Sequence, residues 1–258
     1  MIDVNGIARR ASKAALLPFG LADRRRPGDV VVLLYHRVGP SRSEIELPAE
    51  ALGQQLHELA TRERVLTLED AVADGHGGVV VTFDDGTPDF HGTVLPLLVE
   101  HRVPVHLYLA TGLVANDAGD GLTWSQLSEA VSTGLVAVGS HTHSHADLSR
   151  ANERDAEEEM RRSKELIEDR LGTPCDHFAY PWAVGSPAAD RAVRRLFRSA
   201  ALHAWRTNRA GEIDPYRLGR VPILRSDGRF FFRRKVRGQL DTEAWLYRAL
   251  GRGPWGRE

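Results

Sequence analysis

The chain has 258 residues, 42% of them apolar and 27% charged, with a formal net charge of -1. That length suits one large domain, the composition is that of an ordinary soluble globular protein, and the balanced charge excludes a strong field towards nucleic acid. A single cysteine, Cys175, excludes an intrachain disulfide and favours a reducing compartment, read here as the cytoplasm. No run approaches the roughly 20 apolar residues of a membrane span. The N-terminus does not read as a signal peptide, since Pro18 interrupts the short patch at residues 14–17 and no small-residue cleavage site follows. Residues 5–17 instead suggest a basic amphipathic helix, which packs on the domain or makes weak contact with a membrane surface. Basic clusters at residues 24–26 and 233–235 read as solvated, with a phosphate or lipid headgroup as the sharper alternative.

In chain order, residues 30–35 form a continuous β-branched apolar run, as expected of a strand buried on both faces. Residues 49–61 carry Leu52, Leu56 and Leu59 at helical spacing. A second strand is predicted at 79–83 and a helix at 89–100, entered through Thr87 and Pro88. Strands follow at 105–109, 135–138, 177–180 and 199–204, with a weaker one at 220–224. The clearest helix is 152–171, where Ala156, Met160, Ser163, Ile167 and Leu171 make one stripe and Gly172 and Pro174 stop it. Its many charges read as a solvated face with pairs such as Glu157 with Arg161. Cys175, at the junction of this helix with the next strand, reads as structural. Strands alternating with helices imply βα units around a parallel sheet. The expected organisation is an N-terminal extension (1–28), a (β/α) barrel domain of about seven parallel strands (29–235), and a C-terminal helix and tail (236–258).

The chemically capable residues fall just past the strands: His36, then Asp84 and Asp85, Thr111, Ser140 and His141, then Pro181 and Trp182. In a parallel barrel those carboxyl ends form one face, where active sites are built. Asp84 and Asp85 are adjacent carboxylates at the end of a buried strand. Their mutual repulsion is relieved if a cation claims one of them, although Asp-Gly is also a common turn. Residues 141–145 hold three histidines, and His141 and His145 at i and i+4 would face one way on a helical turn. His143 should point elsewhere. One carboxylate and two imidazoles make a catalytic zinc ligand set with a position open for water or substrate, and cobalt or nickel would also fit.

Thr-Phe-Asp-Asp-Gly at 82–86, followed about 55 residues on by His-Thr-His-Ser-His, resembles the first two motifs of the polysaccharide deacetylase family, carbohydrate esterase family four. The likeness runs from about residue 30 to about 225. It implies a distorted (β/α) barrel, Asp84 as general base, and Asp85, His141 and His145 as the metal ligands. Residues 178–182 resemble the third motif, whose backbone N–H serves the oxyanion. Here Ala179 replaces the arginine that usually orients the base, and Trp182 replaces a tyrosine. The usual late histidine is missing from 221–225, while His36 after its apolar strand resembles a permuted arrangement in which that strand has moved to the front. The resemblance thereby makes His36 the candidate general acid and Trp182 a candidate lining of the sugar site.

The implied activity is a metal-dependent hydrolase acting on a carbon–nitrogen bond, removing the N-acetyl group of an N-acetylhexosamine in a glycan or glycoconjugate. An O-acetyl ester or a non-sugar amide would suit the same machinery, and a non-catalytic sugar-binding relative is the remaining alternative. An aromatic content of 7% does not suggest a long stacking platform, so a nucleotide-, lipid- or aglycone-linked sugar is favoured over polymer.

Overall fold

The structure, a computed structural model, describes residues 25–73, 77–114, 121–203 and 205–240. The expected N-terminal helix at 5–17 and the tail beyond residue 240 lie outside the described residues. Seven parallel strands close into a barrel: β1 (Val30–Tyr35), β2 (Gly78–Asp85), β3 (Val105–Leu109), β4 (Val136–Ser140), β5 (His177–Ala179), β6 (Ser199–His203) and β7 (Leu218–Pro222). Each pairs with the next in chain order, and β1 closes the ring by pairing with both β2 and β7. At the closure Val32 lies in register with Arg220 on one side and Val80 on the other. A two-residue strand, Val65–Leu66, lies along the start of β2.

Helices pack round the outside: α1 (Ala49–Arg62), α2 (Leu68–Ala73), α3 (Leu95–His101), α4 (Trp124–Ser132), α5 (Glu153–Leu171), α6 (Pro187–Leu196) and α7 (Gly228–Val236). α1 buries Leu52, Leu56 and Leu59 as its spacing predicts. α5 starts where Asn152 accepts the Asp155 N–H and ends at left-handed Gly172. Its exposed pairs differ from the expected one, since Arg161 bonds Glu158 and Glu165 while Glu157 meets Arg195 of α6. The helix expected at 89–100 opens instead with a π-helical turn, Phe90–Val94, before becoming α3.

Two hydrophobic cores follow from the strand period of two. Outward-facing Val31, Leu33, Val79, Val81, Leu107 and Phe178 pack under the helices, each burial contributing roughly 1.5–3 kcal/mol. The barrel interior holds Val30, Val32, Val80, Ala179, Ala201 and Leu218 towards the amino ends of the longer strands. Cys175 is buried outside the barrel, and burial pushes its thiol up to about 12, so it is inert at neutral pH.

The C-terminal basic cluster is not a solvated patch. Arg233 bonds Glu58, and Arg234 is buried. Lys235 is fully buried, with Nζ donating to Asp227 Oδ2 (2.6 Å) and the Pro222 carbonyl (2.7 Å) above the Trp205 ring. An ammonium placed there needs that carboxylate, and the pair bolts α7 to the end of β7. At the other end, Arg25 bonds Glu63. Among the described residues no helix is long and apolar enough to cross a membrane.

Candidate metal centre and active site

Asp84 and Asp85 end β2, and the strand pleat sends them in different directions. Asp84 points into the barrel and is almost fully buried. Asp85 takes the left-handed conformation (φ 73°), followed by Gly86 at φ 79°, and the chain turns out of the sheet there. Asp tolerates this backbone, and glycine adopts it without strain.

Asp85, His141 and His145 come together as the sequence suggests: one donor atom from each lies within 4.8 Å of the others. Asp85 Oδ1 is 3.2 Å from His145 Nε2 and 3.7 Å from His141 Nε2. The two histidines do not share a helical turn. Residues 141–145 form a loop in which Thr142 (φ 65°) and His145 (φ 58°) are left-handed, and this bends the second imidazole back towards the first. His141 Nδ1 donates to the Ala179 carbonyl at 2.7 Å, which fixes the tautomer and leaves Nε2 as a lone-pair donor facing the aspartates. His143 turns away, its Nδ1 meeting Thr111 Oγ1 at 2.9 Å.

The donor set fits a divalent cation. Asp85 Oδ1 is buried with no hydrogen-bond donor aligned on it, an orphan state that a cation relieves. Burial works to raise the Asp85 carboxyl, but the His145 imidazole beside it and the fields of His141 and His36 outweigh this and bring it to about 2. Burial lowers the His141 pKa against the pull of both aspartates, favouring the neutral imidazole that a metal requires.

What orients Asp84 is a residue that the sequence reading did not assign. Arg220, on β7 and fully buried, grips the carboxylate with both ends of its guanidinium, Nη1 to Oδ1 at 2.6 Å and Nη2 to Oδ2 at 2.8 Å. It reaches inside the barrel past β1, its guanidinium lying over the Tyr108 ring with 5.2 Å to the centroid. Burial pushes the Asp84 carboxyl up, but the Arg220 charge and hydrogen bonds, with the fields of His141 and His36, hold it below its ordinary value. An arginine from β7 thus takes the role left open where Ala179 stands on β5. The clue was present in the sequence. A charged residue inside an apolar run must find a buried partner, but the strand was expected to begin at Arg220 rather than to contain it.

His36 follows β1 at the same face, half-buried and close enough for its field to lower both aspartates. Trp182 follows β5 in a left-handed turn (φ 58°) and is 69% exposed, its ring packed edgewise on His145 at 4.9 Å. An exposed indole packed on one of the converging imidazoles borders this cluster and is not part of a core.

A closed parallel barrel whose carboxyl-end face brings one carboxylate and two imidazoles together beside an arginine-held aspartate defines a class: a (β/α) barrel with a donor set suited to a divalent cation. Residues 72–204 match the family model described as polysaccharide deacetylase. The chain belongs to the polysaccharide deacetylase family. A chitooligosaccharide deacetylase of Sinorhizobium fredii is 33% identical over 116 residues, 43% of this chain and 50% of that protein. The chain spans 50% to 57% of the length of the curated relatives it matches. Among solved structures, the deacetylase PplD of Streptococcus pyogenes, in complex with acetate, superposes with a TM-score of 0.73 at 20% identity, over 82% of this chain and 99% of that one. IcaB of Ammonifex degensii gives 0.69 at 29% identity, over 79% and 94%.

Proposed function

We propose that this chain is a metal-dependent deacetylase that hydrolyses the N-acetyl group of an N-acetylhexosamine-containing glycan or glycoconjugate. The observation that supports this most is the division of labour between adjacent carboxylates. Asp85 offers a buried, unpartnered oxygen beside two imidazoles, while Asp84 is held ionised by Arg220. A divalent cation on Asp85, His141 and His145, with zinc favoured by the N/O donors, supplies Lewis acidity to the acetyl carbonyl and to water.

Asp84 accepts the proton of the attacking water. Held low by Arg220, it is ionised throughout the neutral range, and the two-point grip fixes its oxygens against rotation. The backbone N–H of Trp182 is assigned to the developing oxyanion, and its indole to the wall against which the sugar rests. His36, just past the neighbouring strand, delivers a proton to the leaving nitrogen, as an amine cannot depart as its anion.

Acetate release from protein stripped of metal and resupplied with zinc tests the proposal, using free, nucleotide-linked and lipid-linked N-acetylhexosamines beside O-acetylated sugars. Zinc-dependent release from an N-acetyl sugar is expected. Release only from esters or non-sugar amides would move the reading to those bonds. Silence with zinc tightly bound would indicate a sugar-binding relative without turnover.

A further inference from the structure

The loop that carries both imidazoles has a shape its own residues resist, because Thr142 and His145 are left-handed and neither is glycine. Most of its restraints are neutral and come from strand ends or the loop itself. The Thr111 and Gly112 N–H groups donate to the Thr142 and His143 carbonyls, and the Ala146 N–H donates to Thr142 Oγ1. Gly112 is required for this approach, as a Cβ there would sit 2.7 Å from the His143 carbonyl oxygen. One restraint differs. Glu159, on α5, places a single oxygen, Oε2, where it accepts from both the His143 N–H (3.1 Å) and the Ser144 N–H (2.8 Å). Successive N–H groups converging on one anion form a backbone nest. Among the described residues this is the one full charge hydrogen-bonded to the backbone of the loop. Its base is rigid, since α5 is anchored by buried Ala156, Met160 and Ser163 on either side of Glu159.

We propose that Glu159 is a positioning residue of the metal centre, its carboxylate clamping the backbone of residues 143–144 so that His141 and His145 face Asp85 before a cation arrives. This rests on the metal-site reading above. Glu159 is not one of the ligating groups. Its contribution is preorganisation: ligands already in place lose less freedom when metal binds.

The test is the zinc affinity of wild type, Glu159→Ala and Glu159→Gln, by competition with a chromogenic chelator. Metal-free thermal unfolding is followed alongside, and the ligand-field spectrum is recorded after cobalt substitution. Glu159→Ala should weaken zinc by about ten- to hundredfold and alter the cobalt spectrum, while the metal-free protein remains folded at the assay temperature. Glu159→Gln, with a neutral acceptor in the same place, should fall between it and wild type. Wild-type affinity and an unchanged spectrum in the alanine variant would overturn the role. So would an alanine variant that binds poorly only because it does not fold, paired with a glutamine variant indistinguishable from wild type. If wild-type protein itself fails to bind zinc, the metal-site reading falls first, and that result is separate from either of these.

Discussion

Replacing Arg220 with methionine isolates what the buried pair does. The substitution keeps much of the side chain's volume and removes two short hydrogen bonds to a carboxylate that water barely reaches. Removing one partner of a buried ion pair costs about 3–5 kcal/mol, because the other charge is left uncompensated. The cost should depend on pH, and its sign can be worked out. In wild type the Asp84 carboxyl is depressed, so its contribution to stability is present above the ordinary carboxylate pKa of about 3.9 and is lost as pH falls through the lower folded value. Without the guanidinium, burial dominates and the folded carboxyl rises above its unfolded value. The variant then loses stability as pH climbs from the unfolded pKa to the raised folded one. Urea denaturation of metal-free wild type and Arg220→Met at pH 8 and pH 4.5 measures this. The deficit should approach the full amount at pH 8 and shrink at pH 4.5. In the zinc-loaded enzyme the acid limb of kcat/KM should move to higher pH. Adding Asp84→Asn should recover part of the lost stability. Equal deficits at the two pH values would refute the argument, since they would mean that Arg220 stabilises by packing and not by holding a charge.

Asp84→Asn should keep zinc while turnover falls by about 10²–10⁴-fold; loss of zinc in a metal-content assay would mean that the roles of the two aspartates are reversed. His36→Ala should slow amide cleavage more than cleavage of an activated aryl acetate, whose leaving group needs no proton, and equal slowing would remove it as the acid. Lys235→Met leaves Asp227 buried without its cation, so denaturation should show a loss of about 3–5 kcal/mol. Zinc affinity should be untouched, as the pair lies outside the barrel against α7.

The barrel was legible because strands buried on both faces are written as unbroken β-branched runs, and all seven were placed within two residues of their observed ends. The convergence of Asp85, His141 and His145 was legible because clustered histidines and paired aspartates are costly without a purpose. The reason given for His141 and His145 was nevertheless incorrect: a left-handed loop, not a helical turn, brings them together. That conformation leaves little trace in sequence where threonine and histidine, rather than glycine, occupy it. Arg220 was missed through a shift of two residues in the weakest strand, which moved an inward-facing charge to the strand's edge. Glu159 was missed for a different reason. It stands beside Glu157 and Glu158 on a helix whose charges read as one solvated face, and only the path of a distant loop separates it from its neighbours.

The barrel closes by pairing β1 with β7, and the residues around the base are divided across that seam. His36 comes from the strand on one side and Arg220 from the strand on the other, with Asp84 on β2 next to β1. The proposed metal ligands, by contrast, come from the end of β2 and the loop after β4, both contained in the first two-thirds of the described chain. A chain part-way through folding, with the last strand undocked, could already bring Asp85, His141 and His145 near one another, but Asp84 would lack the two-point guanidinium grip that fixes its oxygens. Joining strands so far apart in sequence carries a loop-closure cost and tends to come late. Competence to bind a cation and competence to use it are therefore expected to arise at different moments in folding, with catalysis reserved for molecules whose ring has closed.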